Sequence, residues 1–453
     1  MLMPLAISSQ GYCIPCQCFI DEFPELSRHL PTLGNYEDSV QLEHYETPFE
    51  LAAGDRSGCR LCSLFVQCIR NDFGLESFYK SVGRLKCLGN SPAITVFIDM
   101  GLRGSLLMEL QMRGEVWRRS IMESLYIVKG EVSDRIELTE MSSSFAPSQL
   151  ELAKRWLQTC SKNHNGCKGC ENNRMPTRLL ALGEGFLRLE MTTGWDAEYR
   201  PQYATLSHCW GGVDFLKLTT TTLELFKKSM PLEQLTKTFR DTIAVVRKLG
   251  IPYLWIDSLC IIQNSSEDWE TEATLMSSVY GSSTITIAAA GAVNGNSGLF
   301  LQPERYVGKV HIDVPTDSGA QGWDIGIPSI HETSVSKSAL SKRAWAIQER
   351  LLSPRILYFT DKELFWECGS LLACESFPER LPAECCWSSY FLKKGQSFSG
   401  TWPIVVQLYT QANLTFGSDK LVAISGVARI AQKENNDNYL AGMWRNEMEA
   451  QLC

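Results

Sequence analysis

Three short apolar runs, separated by longer stretches with helical periodicity, occupy the middle of the chain. The runs that predict buried strands are 203–209, 253–261 and 284–290. The stretches 232–249 and 267–280 predict helices, and a glycine follows each of them as a stop signal. A strand–helix–strand–helix–strand order with right-handed crossovers produces adjacent parallel strands. Residues 200–292 therefore predict an α/β unit on a parallel βαβαβ sheet.

The regions on either side predict a different architecture. The N-terminal region predicts a mixed α+β structure with helices at 48–53, 62–71 and 148–160 and strands at 85–87 and 94–98. After the α/β unit, the patterns predict loops with short strands at 293–340, a helix at 341–352, a hairpin from 356–359 and 363–367, and helices from residue 403 onward. We expect a Cys-rich region at 1–175, the α/β domain at 200–352, and a hairpin with a helical C-terminal extension at 353–453.

The predicted helix 267–280 carries a carboxylate on its apolar side. At 100° per residue, one stripe contains Trp269, Ala273, Met276 and Tyr280. Glu272 falls on this buried side, where a carboxylate is costly unless it is paired or used. In a pocket, Glu272 would have a raised pKa that suits acid/base or electrostatic work. The alternative is a buried ion pair with Arg240 or Arg343.

The ends of the first two predicted strands carry candidate ligand-binding residues, because open parallel sheets bind ligands beyond the carboxyl ends of their strands. The candidates after the first strand are Ser207, His208, Trp210, Gly211 and Gly212. The two glycines allow a sharp turn or a close approach of a ligand. In the second predicted strand, 253–261, the candidate is Asp257. The alternative interpretation is a tight turn and a helix-capping aspartate.

The predicted helix 341–352 holds a second polar group. Its members are Arg343, Trp345, Gln348, Glu349 and Arg350. Trp345 and Glu349 share a face at i, i+4, so the group predicts a site for a planar, polar ligand. A hydrogen-bond network between domains is the alternative.

Composition and charge narrow the function classes. The chain has 453 residues, 44% hydrophobic and 21% charged, which is ordinary globular composition. The net charge of −8 disfavours nucleic acid as the main partner. No run approaches the roughly 18 apolar residues that span a bilayer, and the first residues lack a signal-peptide pattern. We therefore expect a cytoplasmic protein with reduced thiols and no membrane span.

The 17 cysteines include two groups with metal-ligand spacing. Cys13-x-x-Cys16 and Cys59-x-x-Cys62 have the spacing of two zinc half-sites. A denser group combines Cys160, His164, Cys167 and Cys170. Structural zinc is the candidate cofactor at both groups, and buried small hydrophobic residues are the alternative.

Four motifs in order resemble the HET domain of fungal heterokaryon incompatibility proteins. They are Tyr203-Ala204-Thr205-Leu206-Ser207-His208-Cys209-Trp210-Gly211, then Thr238-Phe239-x-Asp241 with Tyr253-Leu254-Trp255-Ile256-Asp257, then Asp268-Trp269-x2-Glu272, and finally Arg343-x-Trp345-x2-Gln348-Glu349. Thr205 and His208 depart from the usual alanine and aromatic residues of the first motif. The flanking sequences also resemble the family, so the likeness covers about residues 150–450.

The resemblance implies a protein that triggers or executes programmed cell death through other protein chains. HET domains are distantly similar to TIR domains, which have a flavodoxin-like fold and of which many hydrolyse NAD with a glutamate a few residues beyond a tryptophan. By that analogy Glu272 would be catalytic, Asp257 would assist, and NAD would be the substrate. The loop after the first strand would hold the cofactor, and Arg343, Trp345 and Glu349 would complete its wall.

The sequence is compatible with two other functions. A non-enzymatic signalling module would use its HET domain to bind partner chains, with Glu272 in a structural ion pair. A zinc-stabilised adaptor would use the N-terminal cysteines. For the enzyme, we expect self-association to assemble the active site.

Overall fold

The protein is described by a computed structural model at residues 6–8, 11–29, 40–45, 48–73, 94–100, 106–112, 124–129, 146–167, 174–196, 198–301, 306–316, 319–382, 385, 394 and 396–452. The helices are α1 (Ile14–His29), α2 (Pro48–Arg56), α3 (Arg60–Phe73), α4 (Pro147–Asn163), α5 (Leu223–Lys228), α6 (Lys237–Lys248), α7 (Asp257–Cys260), α8 (Ser266–Gly281), α9 (Ala344–Leu352), α10 (Phe398–Thr410), α11 (Ser425–Asn435) and α12 (Met448–Leu452).

Within the described ranges, the strands form three sheets of six, eight and two strands. They are β1 (Val40–Tyr45), β2 (Ile94–Met100), β3 (Leu106–Met112), β4 (Ser124–Lys129), β5 (Arg178–Ala181), β6 (Arg188–Met191), β7 (Tyr203–Ser207), β8 (Tyr253–Trp255), β9 (Ile285–Ala288), β10 (Lys309–Thr316), β11 (Gly319–Gly326), β12 (Arg355–Phe359), β13 (Leu364–Cys368), β14 (Leu372–Cys374), β15 (Tyr439–Leu440) and β16 (Met443–Trp444).

The chain divides into two compact units. The first contains Met1–Thr139, Pro303–Thr333 and Pro382–Trp387. The second contains Glu140–Gln302, Ser334–Leu381 and Ser388–Cys453. Each unit is built around one of the two large sheets and has its own hydrophobic core.

The first unit is an antiparallel sheet in the order β1-β2-β3-β4-β11-β10. Helices α1 and α3 contact β10. Val310, Ile312 and Val314 are buried at alternate positions of β10, so one face of this strand is apolar. The same alternation explains why residues predicted as loops with short strands form a hairpin of two eight-residue strands.

The second unit is a mixed sheet in the order β14-β13-β12-β9-β7-β8-β5-β6. The four inner strands β12, β9, β7 and β8 are parallel to one another. Antiparallel pairs flank them, β13 with β14 on one side and β5 with β6 on the other. The predicted α/β class, with neighbouring parallel strands between residues 203 and 290, is therefore confirmed.

The first parallel strand along the chain, β7, lies between the second and the third. The connection through α6 leads from β7 to β8 on one side, and the connection through α8 leads from β8 to β9 on the other. The carboxyl ends of β7 and β9 therefore form a switch point, where an open α/β sheet has its ligand crevice. We call this region the switch point below.

The second predicted strand is much shorter than expected. β8 contains only Tyr253–Trp255, and the short helix α7 begins at Asp257. The Asp257 carboxylate accepts a hydrogen bond from the Ser258 backbone N–H at 2.6 Å, and such local bonds compete with strand pairing. Leu259 and Cys260 stay fully buried in the helix, so the apolar run could not distinguish a buried strand from a buried turn of helix.

The predicted hairpin at 356–367 is confirmed as the antiparallel pair of β12 and β13, and β12 also pairs with β9. The predicted helix at 341–352 begins three residues later, at Ala344. The predicted strand at 85–87 lies outside the described residues. Among the helices that the structure describes, none has both the length and the apolar character needed to cross a membrane.

Candidate functional site

A buried hydroxyl and a buried carboxylate meet at the switch point. Ser207, the last residue of β7, donates a hydrogen bond from its hydroxyl to Oε2 of Glu349 on α9. Ser207 is 4% exposed and Glu349 is 3% exposed. Burial raises the pKa of Glu349, while Arg343 and the Ser207 hydroxyl act in the opposite direction by favouring the ionised form. The arrangement places a carboxylate of raised pKa at the end of the central strand.

A row of hydroxyl groups fixes α9 against the sheet. The Thr205 and Thr286 hydroxyls are 2.6 Å apart, on β7 and β9. Thr286 is also 2.6 Å from the Ser353 hydroxyl, which donates to the Glu349 backbone carbonyl at 2.6 Å. The carboxyl end of α9 is therefore held in register with two parallel strands. This row sets the position from which the Glu349 side chain reaches Ser207.

His208 and Asp257 lie beside this pair. Arg343 donates a hydrogen bond to the His208 backbone carbonyl. The His208 Nδ1 is 4.0 Å from Asp257 Oδ1. Burial lowers the pKa of His208 to about 4, although Asp257 opposes this shift. The imidazole is therefore neutral at neutral pH, and its contact with Asp257 is not an ion pair there.

The loop after β7 makes the predicted sharp turn. Gly211 and Gly212 have φ angles of 67° and 68°, in the left-handed region that favours glycine. The Trp210 indole N–H donates to Asp257 Oδ2 at 3.0 Å, so the loop is tied to the end of β8. A Cβ on Gly211 would lie 2.2 Å from the Cβ of Asn294, in the loop after β9. The two loops at the switch point are therefore in direct contact.

The predicted group on helix 341–352 separates into two sets. Arg343 and Glu349 reach the end of β7, as described above. Trp345 donates from its indole to Asp419 Oδ2 at 3.4 Å, and Gln348 accepts from the Gly426 N–H at 2.8 Å. Trp345 and Gln348 thus bond to C-terminal segments of the same compact unit.

Glu272 is buried, as the helical periodicity predicts, and it lies in an ion pair. It is 2% exposed, and its Oε1 is 3.2 Å from Nη2 of Arg178 on β5. The same guanidinium group bonds to both Asp268 carboxylate oxygens at 2.7 Å and donates from Nε to the Cys260 carbonyl at 2.6 Å. Burial raises the pKa of Glu272, while Thr177 and Arg178 act in the opposite direction.

The predicted ion-pair partners of Glu272, Arg240 and Arg343, were wrong. The partner is Arg178, which the sequence reasoning missed because it begins an apolar strand about 90 residues before the helix. An arginine at the edge of an apolar strand is expected to be buried and therefore to need a buried carboxylate as its partner. Arg178 is 3% exposed in the structure. That requirement was the available signal.

The predicted N-terminal cysteine group is brought together in the first unit. The thiols of Cys13, Cys16, Cys59 and Cys62 all lie within 4.8 Å of one another and could hold a metal ion. The Cys62 sulfur is 3.5 Å from the sulfurs of Cys13 and Cys16. All four residues are at most 1% exposed. The two half-sites, separated by about 45 residues along the chain, thus form one cluster of four thiols.

The second cysteine group contains a residue that the sequence did not suggest. Cys160, His164 and Cys167 lie with Cys368, and their ligand atoms are within 4.8 Å of one another. A hydrogen bond with Cys160 lowers the pKa of the Cys368 thiol to about 4. Cys368 is about 200 residues away from the motif, and no spacing rule connects them. The predicted ligand Cys170 lies outside the described residues.

A family model described as heterokaryon incompatibility protein (HET) matches residues 203–349. The chain carries a HET domain. Searches of curated proteins and of solved structures found no match. The HET domain supports a function of the heterokaryon incompatibility type.

The HET domain begins with β7 and ends at Glu349. Ser207, Glu349 and the residues of the switch point therefore all belong to it. Glu272 also belongs to it, whereas its partner Arg178 precedes it in sequence. The HET domain is thus completed by a strand from outside the matched residues, because β5 pairs with β8 and supplies the guanidinium group.

Proposed function

We propose that the HET domain hydrolyses NAD at the switch point, with Glu349 as the catalytic carboxylate, and that this activity drives cell death in heterokaryon incompatibility. The observation that carries the proposal is the buried carboxylate of Glu349 against Ser207 at the end of the central strand. The strand order, second-first-third-fourth, is that of flavodoxin-like sheets, in which the ligand binds at this point. The glutamate-after-tryptophan pattern of NAD-hydrolysing TIR domains is met by Glu272, three residues after Trp269, as well as by Glu349, four residues after Trp345.

The proposed chemistry needs one carboxylate and one water molecule. The bond between the nicotinamide nitrogen and the ribose carbon breaks, and nicotinamide leaves with the bonding electron pair. Ionised Glu349 stabilises the oxocarbenium-like ribose, water attacks its carbon, and a proton is released to solvent. Burial raises the pKa of Glu349 and so disfavours this ionised form, whereas Ser207 and Arg343 favour it. The glycine turn at 211–212 supplies backbone for the pyrophosphate.

This assignment differs from the expected role of Glu272. The Arg178 guanidinium lies 3.2 Å from Glu272 and is shared with Asp268, so the charge of Glu272 is already compensated. We propose a structural role for Glu272 and an assisting role for Asp257. Because Ser207, His208 and Glu349 are at most 4% exposed, substrate entry requires the loops to separate. We propose that self-association with further copies or partner chains produces that opening.

The experiment compares two matched variants in the full chain. Purified protein, oligomerised through a fused inducible dimeriser, is incubated with NAD, and nicotinamide release is measured. We expect release by the wild type, a loss of at least about 100-fold in Glu349→Gln, and near-normal release by folded Glu272→Gln. Equal release by the wild type and Glu349→Gln, or release abolished only in Glu272→Gln, would contradict the assignment.

A non-enzymatic signalling module is the second candidate. The contacts of Trp345 with Asp419 and of Gln348 with Gly426 favour it, because residues expected to line a ligand wall are used to hold the C-terminal helices. Under this proposal the wild type releases no nicotinamide. Cells expressing Glu349→Gln would then die as readily as cells expressing the wild type, which a cell-viability assay measures.

We also propose structural zinc at Cys13, Cys16, Cys59 and Cys62. Zinc–sulfur bonds of about 2.3 Å place tetrahedral sulfurs about 3.8 Å apart, close to the 3.5 Å separations at Cys62. The cytoplasm, where we place the protein, keeps thiols reduced and so able to bind zinc. Metal analysis should show one zinc fewer per chain in Cys16→Ala than in the wild type. An unchanged zinc content would remove this site and the adaptor function that depends on it.

A further inference from the structure

We propose that Cys160, His164, Cys167 and Cys368 bind a zinc ion that fastens the end of α4 to the end of β13. Three thiols and one imidazole are a common ligand set of structural zinc sites. Their ligand atoms lie within 4.8 Å of one another, and the Cys368 sulfur is 3.4 Å from the His164 Nδ1. Zinc–sulfur and zinc–nitrogen bonds of about 2.3 and 2.0 Å predict a tetrahedral edge of about 3.5 Å.

Local structure presents three of the ligands from one short segment. Cys160 lies in the last turn of α4, and the His164 N–H bonds to the Cys160 carbonyl at 3.1 Å, where the helix ends. A 3-10 turn, Asn165–Cys167, then brings Cys167 back toward the same point. The side chains of the Cys-x3-His-x2-Cys segment therefore converge on one point. A tetrahedral zinc ion bound there would need a fourth ligand from another part of the chain.

Cys368 fills that position from the end of β13. Cys160, Cys167 and Cys368 are at most 5% exposed, so the site is closed to solvent on the sulfur side. A closed site with four protein ligands is characteristic of structural rather than catalytic zinc. The metal would therefore cross-link two segments about 200 residues apart, one before the HET domain and one after it.

Surrounding groups support thiolate ligands. Arg355 donates from Nε to the Cys160 sulfur at 3.2 Å and from Nη1 to the Thr284 carbonyl at 3.2 Å. A zinc ion with three thiolates carries a net negative charge, which the guanidinium group offsets. Glu367, the residue before Cys368, pairs with Arg350 of α9 at 3.0 Å. Metal binding would thus stabilise the strand that holds the helix of Glu349.

The first experiment measures zinc per chain in the purified 453-residue protein by elemental mass spectrometry. We expect Cys368→Ala to contain one zinc fewer than the wild type. Cys260→Ala, which removes a fully buried thiol outside both clusters, should contain as much as the wild type. Cys170→Ala should also retain the full amount. Loss of zinc in Cys170→Ala but not in Cys368→Ala would overturn the ligand set.

A second variant keeps the test decisive if Cys368→Ala fails to fold. Cys368→His should retain the metal, and after exchange for Co²⁺ it should show a weaker sulfur-to-cobalt charge-transfer band than the wild type. An unchanged band would mean that Cys368 is not a ligand. Detection of a Cys160–Cys368 disulfide in non-reduced protein, or a wild type in which no zinc depends on these residues, would also overturn the proposal.

Discussion

Glu272 and Glu349 are both buried glutamates of the HET domain, yet their surroundings differ. Glu272 lies beside the Arg178 guanidinium group, which also bonds to Asp268. Glu349 accepts a hydrogen bond from the neutral Ser207 hydroxyl, and the Arg343 guanidinium group that opposes its pKa shift donates to a backbone carbonyl. Burial raises the pKa of both carboxyls. Burial alone therefore does not identify a functional carboxylate; the groups that compensate its charge must also be known.

The largest expected effect comes from removing the cationic partner of Glu272. Arg178→Ala leaves Glu272 and Asp268 buried without their cation and removes the bond to the Cys260 carbonyl. We expect a loss of about 3–5 kcal/mol in the free energy of unfolding, measured by urea titration. Arg188→Ala, at an exposed pair with Glu190, is the control and should cost less than about 1 kcal/mol. Similar losses in both variants would contradict the structural role.

Acid should destabilise the region around Glu349 because His208 becomes protonated there. Its folded pKa of about 4 is below its usual 6.5, so the unfolded chain binds more protons between these values. This part of the stability is present above pH 6.5 and is lost as the pH falls toward 4. His208→Phe removes the titration, and its stability relative to the wild type should rise by about 2–3 kcal/mol between pH 7 and pH 4.5. A constant difference across this range would exclude His208 as the acid-sensitive group.

The raised carboxyl pKa of Glu349 predicts a slope of the opposite sign. The folded state holds its proton more tightly than the unfolded chain, so this contribution to stability is complete below the ordinary carboxyl pKa and is lost as the pH rises through the folded value. Glu349→Gln should therefore become more stable relative to the wild type as the pH rises from 4 to 8. Glu270→Gln, at an exposed position of α8, should show no such trend in the same urea titrations.

The smallest expected effect tests how α9 is positioned. Thr286→Val keeps the side-chain shape but removes the hydroxyl shared by Thr205 and Ser353. We expect a loss of about 1 kcal/mol in the free energy of unfolding. Nicotinamide release should decrease more than this loss explains, because Glu349 would shift relative to Ser207. Unchanged release at the reduced stability would show that the hydroxyl row only supports the fold.

The strands and helices of the parallel sheet were predictable because their apolar periodicity is local. The burial of Glu272 was predictable for the same reason, since a helical wheel needs only one turn of neighbours. The partners of Glu272 and of the second cysteine group could not be predicted, because Arg178 and Cys368 are distant in sequence from the groups that they join. The end of β8 at Trp255 was missed because a local hydrogen bond to Asp257 ended an apolar run that continues to residue 261.

Gly211 has a consequence for how the domain could change over time. Its α-carbon faces the Asn294 segment so closely that a single added methyl group would need space already filled by the Asn294 side chain and by the Val293 carbonyl, 2.7 Å away. Any other residue at this position would push the two loops apart by an amount that depends on the size of its side chain. Substitution of Gly211 would therefore change both the contact between the two loops and the turn that the proposed site uses.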